Sequence, residues 1–330
     1  MQKIGDILKT TPLVQEATTR AEHKSDAEEQ STHAVSTPLP QGTFHYTQRG
    51  QLVQLSDIRN QALDIGFIAR LLTLATMPHS NPGDADNYTR INGDYKLVMR
   101  RGEDTKLPYG SYPRLLFAWI CTEVVQQKEN EKTPTLVLGE SLSDFMRQLA
   151  LLPTGGRWGT IPQLREQMRR LFNARISVSL VNRDKRQFFD VSESYDLWWD
   201  HQQPQQRTLW KSTVTISQKF YNEIRERPVP INMNILAALK RSPLGLDLYM
   251  FLTYRVSYLK KPAFISLKAL HEQFGAEYKD IKNFRKKVHR ELIKIKLAWP
   301  QLNYELLPGR IAIQPSQPSI PPANYPRIPA

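Results

Sequence analysis

The sequence predicts an α+β fold made of two tandem modules of one plan, set between a polar N-terminal region and a proline-rich tail. Three observations carry that reading. The order helix, strand, helix, helix, hairpin occurs twice between residues 107 and 315, and such an internal repeat rarely arises by accident. Each copy holds an amphipathic helix that follows a shorter helix and a turn. The basic excess of the chain is concentrated in the second copy. The order is that of a winged helix-turn-helix, so two tandem winged helix-turn-helix domains are expected. The expected boundaries are a disordered region at 1–60, an extension of the first domain at 61–106, the first winged helix at 107–227, the second at 228–315 and the tail at 316–330.

Residues 1–60 are polar and near neutral, with six Lys/Arg against seven Asp/Glu, and AEHKSDAEEQSTHAVSTPLPQG has the composition of a disordered segment. An apolar segment near Ile65–Leu74 and the polar loop MPHSNPGDADNY lead into the first module. There SYPRLLFAWICTEVVQQ reads as an apolar helix and TLVLGE as a short strand. Ser141 caps SLSDFMRQLAL, with Asp144 at the capping-box position. GGRWGT is a glycine turn, Thr160 caps a helix over Ile161–Asn173, and ISVSLV with QFFDVS reads as a hairpin. The second module repeats the plan: a helix over Leu244–Lys260, the strand FISL, the helix LKALHEQFG ended by Gly275, a basic helix over Tyr278–Lys296, and a hairpin turning at Pro308-Gly309. Frequent prolines make the last residues an extended tail.

Charge gives the first functional direction. The chain carries a net +13, and residues 228–330 hold sixteen Lys/Arg against six Asp/Glu. A basic domain attracts polyanions through counterion release. No amphipathic Trp/Phe-plus-Lys segment points to a membrane surface. No run of about 18 apolar residues offers a membrane span, and the first residues lack the apolar stretch of a signal peptide. A soluble cytoplasmic protein associated with DNA is expected.

In the helix over Tyr278–Lys296, Ile281, Phe284, Val288, Leu292 and Ile295 recur at spacings of three and four and form one buried stripe. The opposite face carries Lys279, Asn283, Lys286 and Arg290, bordered by Lys282 and Lys287, with Arg285 and His289 to the side. Eight Lys/Arg face two acids in these nineteen residues, whereas a merely solvated face mixes signs to gain i,i+4 pairs. Asn can read adenine and Arg or Lys guanine in a major groove, and the remaining cations suit phosphates. In the first module, Ile161, Leu164, Met168, Leu171 and Phe172 form the buried stripe. Gln163, Glu166, Arg170 and Asn173 lie opposite, Arg165 and Arg169 flank them, and Arg157 and Thr160 stand at the helix start. The candidate DNA contacts are therefore Arg157, Thr160, Gln163, Arg165, Glu166 and Arg170 in the first module. Those of the second are Lys279, Lys282, Asn283, Lys286, Lys287, Arg290 and the wing residue Arg310. Arg183, Lys185 and Arg186 make a basic turn in the first hairpin, a common feature of any surface.

The remaining notable residues have structural readings. Cys121, the only cysteine, lies in an apolar run as a small core residue. Trp119 and Tyr249 are core residues, Trp158 packs the glycine turn against the hairpin, and Trp198 and Trp199 join the domains. No GxxxxGK[ST] loop, HxH pair, HExxH or paired carboxylate cluster is present, and one cysteine cannot build a zinc finger. No catalysis, cofactor or metal is expected.

The strings LPYGSYPRLLFAWICTEVV (107–125), LGESLSDFMRQLALLPTGGRWGTIPQLREQMRRLF (138–172) and SLKALHEQFG…IKNFRKKVHREL resemble the plasmid-encoded RepA-type replication initiator family. The resemblance spans Tyr88 to about Pro315. It implies tandem winged helices that bind direct repeats of origin double-stranded DNA, called iterons. It also implies opening of adjacent AT-rich DNA, recruitment of the host DnaA initiator and replicative helicase, and self-dimerisation into inactive or autoregulatory forms. A winged-helix repressor or autoregulator without origin melting remains the alternative. Two unequal modules in one chain favour direct repeats over a palindrome, because a symmetric site mirrors a symmetric dimer.

Overall fold

The computed structural model describes residues 44–46, 52–54 and 62–322, apart from 75, 94, 181–185, 201, 209–210 and 276–277. It is a mixed α/β structure of helices packed with several small antiparallel sheets. The expectation of disorder over 1–60 falls mostly outside the described residues. Within it, β1 (Phe44–Tyr46) and β2 (Leu52–Gln54) pair in antiparallel register, so those six residues depart from that expectation.

The first half is built around α2 (Ser111–Gln126), which is buried over most of its surface as its apolar sequence requires. Strand β3 (Ile65–Ala69) runs beside it and leads into the one-turn helix α1 (Arg70–Leu74). The amide of Phe67 donates to Thr122 Oγ1 at 2.9 Å and that of Ala69 to Cys121 Sγ at 3.3 Å. Burial pushes the Cys121 thiol up to about 12, so it stays protonated and inert. After β6 (Thr135–Gly139) comes α3 (Leu142–Gln148), capped by Ser141. The Ser141 hydroxyl accepts from the Asp144 amide and donates to the Asp144 carboxylate. Helix α4 (Thr160–Phe172) follows, then β7 (Arg175–Leu180), β8 (Arg186–Asp190), β9 (Ser192–Asp196), β10 (Ser212–Ile216) and α5 (Gln218–Glu226).

The expected hairpin is present as β7–β8. It joins β4 (Asn87–Asn92) and β5 (Tyr95–Arg100) in a four-stranded sheet of order β4-β5-β7-β8. Register explains the choice: Leu97 pairs with Val178, Met99 with Ile176, and Ile176 with Phe189. These side chains fall on one face and are buried. Strand β6 instead pairs with β10, which pairs with β9. Trp119 and Trp199 both pack on Phe145 at ring distances of 5.1 Å. Trp199 thus belongs to the first half's core rather than to a joint between domains, while Trp198 is exposed.

The second half keeps the expected order. Strand β11 (Pro228–Asn232) pairs with β3, and α6 (Met233–Leu239) and α7 (Pro243–Tyr258) follow. Ser242 caps α7 and Pro243 stands at its first turn. Then come β12 (Ala263–Ser266), α8 (Leu267–Phe274), α9 (Ile281–Ala298) and the hairpin β13 (Tyr304–Leu307)–β14 (Arg310–Ile313), in a sheet of order β12-β14-β13. The proline-rich tail carries no helix or strand over 314–321, but it is packed. Ile320 is buried, Trp299 Nε1 donates to Gln317 O at 3.0 Å, and Ser319 Oγ lies 3.2 Å from the Tyr249 hydroxyl. Residues 316–322 therefore strap the second half, and 323–330 lie outside the described residues.

The two halves share one core. Arg114 of α2 is 1 % exposed and meets Asp247 of α7 through two bonds of 2.7 Å. Its other protons go to the carbonyls of Met77, Pro78 and Gly110, which uses all five donors. His79 Nε2 lies 2.8 Å from the second Asp247 oxygen. Burial pushes the Asp247 carboxyl up, but Arg114 and His79 outweigh it and hold it below the ordinary range. A buried pair survives only with this degree of hydrogen bonding.

Candidate nucleic-acid interface

Helix α9 begins later than its sequence pattern suggests. Asp280 is the N-cap and accepts from the Lys282 amide at 2.8 Å. Lys279 consequently stands just before the helix, exposed, rather than on its face. Phe284, Val288, Leu292 and Ile295 are buried as a stripe, but Ile281 is 43 % exposed. Tyr278 and His271 cover Phe284 instead, at ring distances of 5.5 and 5.1 Å, which leaves Ile281 projecting.

The solvent face presents Lys282, Asn283, Arg285, Lys286 and Arg290. Among the described residues, neither Lys279 nor any of these four cations forms an ion pair. Lys287 differs: it is half-buried and lies 3.3 Å from Glu291, a fully buried carboxylate that also takes Lys294 at 3.1 Å. That pairing removes Lys287 from the exposed set. Glu291 fits because position 245 is glycine: a Cβ there would come within 2.9 Å of its carboxylate oxygen. Arg310, at the base of the β13–β14 turn, is exposed and lies over the Phe264 ring at 5.0 Å.

In the first half the turn before α4 is locked. The Thr154 and Thr160 backbone amides each donate to the other residue's hydroxyl, at 3.0 and 2.9 Å. Thr160 Oγ1 also donates to Leu152 O at 2.6 Å. Gly159, not Thr160, is the N-cap, and there is no room there for a side chain, since a Cβ would lie 2.2 Å from Thr154 O. The Thr160 hydroxyl is thus spent on the turn. Arg157, Gln163 and Arg165 are exposed, and Gln163 Nε2 donates to Trp158 O at 3.0 Å.

Arg170 and Glu166 correct the expected exposed face of α4. Arg170 is 8 % exposed, donates to Glu166 and to Leu107 O at 3.2 Å, and lies over the Tyr109 ring. Glu166 is shared with Arg169, which also donates to Asp104 O at 2.9 Å. The segment 101–110 covers this side of the helix. Arg183 and Lys185 lie outside the described residues, as does the side chain of Arg186. Trp158 reverses its expected role: it does not pack the turn against a hairpin but is 80 % exposed, with Arg157 over its ring at 5.2 Å. Trp158 and Arg285 are the surface residues that helical periodicity alone passed over.

Residues 107–265 match the model of the family described as plasmid encoded RepA protein. That stretch is similar to a plasmid RepA domain. The RepA match runs from the segment before α2 into β12, so it contains α4 and stops short of α8 and α9. The fold is similar to a crystal structure of domains 2 and 3 of RctB, with 13 % identity and a TM-score of 0.50, covering 74 % of this chain and 96 % of that one. A second RctB structure, of domains 2–3 (residues 155–483), aligns at 13 % identity and a TM-score of 0.46, covering 74 % and 94 %. No curated protein matches the sequence significantly. Among the described residues no group of three or more His, Cys, Asp or Glu could hold a metal ion, and no helix is long and apolar enough to cross a membrane.

Proposed function

We propose that this RepA-domain protein initiates plasmid replication, binding directly repeated origin sequences in double-stranded DNA through two winged-helix modules. The observation that carries the reading is the row of exposed cations on and just before α9, none in an ion pair among the described residues, with Asn283 among them, in a chain whose RepA-like stretch holds a second helix at the same place in the element order. Lys279, Lys282, Arg285, Lys286 and Arg290 meet phosphates, while Asn283 reads a base edge. Arg310 approaches the backbone from the hairpin. In the first module Arg157, Gln163 and Arg165 face the DNA, and Glu166, Arg170 and Thr160 hold the helix and its turn in place. The second module grips through charge and the first supplies more of the base discrimination. The protein acts by binding, not by catalysis. It opens AT-rich DNA beside the repeats and hands it to the host DnaA protein and replicative helicase, with self-dimerisation as its autoregulatory form.

A double variant, Lys286→Ala with Arg290→Ala, tests the site. Affinity for duplex DNA from the flanks of its own gene is expected to fall. The slope of log K against log salt is expected to drop by about 0.9 for each lost phosphate contact. An unchanged affinity and slope in a variant that melts like the wild type overturns the assignment of α9.

A further inference from the structure

Trp158 has the largest exposure of any large apolar side chain among the described residues. The turn beneath it is rigid. Besides the Thr154–Thr160 bonds, Gly159 N donates to Gly156 O at 3.0 Å and Ile161 N to Thr154 O at 3.2 Å. An ordered turn presents the ring without a further backbone-ordering cost on binding, which is one part of a preorganised contact. The backbone carbonyl of Trp158 accepts from Gln163 on the exposed side of α4, so the turn that carries the ring is tied to the helix. Arg157 covers one ring face and has no ion pair among the described residues. Arg165 lines an open hollow beside the turn with Gly155, Gly156 and Pro162.

We infer that Trp158 is a base-stacking wedge: on DNA its uncovered face stacks on a base displaced from the duplex at the edge of the first module's site, while Arg157 passes to a phosphate. The inference rests on the DNA-binding reading above. The chemistry favours a base over a protein partner. An indole stacks on any base, apolar wedges unstack base steps and kink the duplex, and the flanking side chains Arg157 and Arg165 are cations that match a polyanion.

The test uses the full chain and a duplex selected by the wild type from a random pool. Trp158→Ala is expected to bind that duplex about five- to 150-fold more weakly, the equivalent of ~1–3 kcal/mol of stacking. It is also expected to abolish the permanganate-reactive thymines that the wild type creates at the site. Trp158→Phe keeps most of both, and neither variant lowers the melting temperature. Equal affinity and an identical permanganate pattern for Trp158→Ala overturns the wedge, as does a loss that merely tracks a lower melting temperature. Normal DNA binding with altered self-association in sedimentation also overturns it, because the ring then serves a second copy. If the wild type selects no sequence at all, the DNA reading falls and the wedge falls with it.

Discussion

Arg170 and Glu223 show what one side chain's surroundings decide. On α4 the period of 3.6 correctly places Ile161, Leu164, Met168, Leu171 and Phe172 inside. The same period puts Arg170 in solvent, where it is not. Its partner, the Leu107 carbonyl, lies 63 residues away in sequence, and no local pattern encodes that contact. Glu223 on α5 is a second case, buried beside Arg70 and Glu226. Burial raises its carboxyl to about 7, against the pull of Arg70 and with a smaller push from Glu226. A raised folded value means that its contribution to stability is full below the unfolded value near 4.5 and is lost as pH rises through about 7. Glu223→Gln should therefore stabilise the protein at pH 8 by about 3 kcal/mol and change little at pH 4. Chemical denaturation at the two pH values checks this, and an equal effect at both contradicts it.

At the scale of elements, the sequence pattern located helices far better than it assigned strands to sheets. Helix α9, the Ser141 cap and the second hairpin are legible because caps, periodicity and a Pro-Gly turn are local signals. The pairing of β7 with β5, and of β6 with β10, is a choice among strands of similar alternation, made by which apolar faces can be buried together. The tail shows the limit of composition. Its prolines correctly exclude helix and sheet, but they say nothing of Ile320, one apolar side chain that finds a buried place. Ile320→Ala should cost about 2–5 kcal/mol, the range for emptying a buried aliphatic site. Thermal melting of the full chain measures it. A change within about 0.5 kcal/mol, the range of surface substitutions, would mean that the strap adds nothing to stability.

For the whole molecule, the Arg114–Asp247 pair is a buried ionic link between the halves, joining α2 to α7 beside the backbone pairing of β3 with β11. Replacing a single partner leaves a buried charge. Asp247→Asn should cost roughly 3–5 kcal/mol, and Arg114→Met with Asp247→Leu should recover much of that. Asp247 is held below its ordinary value, so its contribution is full above the usual carboxylate range near 4 and is lost as pH falls further. The acid limb of the wild-type stability curve should flatten in Asp247→Asn, and a curve of unchanged shape contradicts this. None of it was legible in the sequence: Arg114 sits in an apolar helix and Asp247 in another, 133 positions apart, and no local pattern pairs them. The RepA-like strings and the basic face of α9, by contrast, could be read directly, because composition and helical spacing are enough to define them. Footprinting the full chain on the DNA flanking its own gene, with permanganate to detect opened strands, tests the initiator reading most directly. A ladder of protected direct repeats beside an opened AT-rich stretch is expected, whereas a single protected palindrome, or no protection, would contradict it.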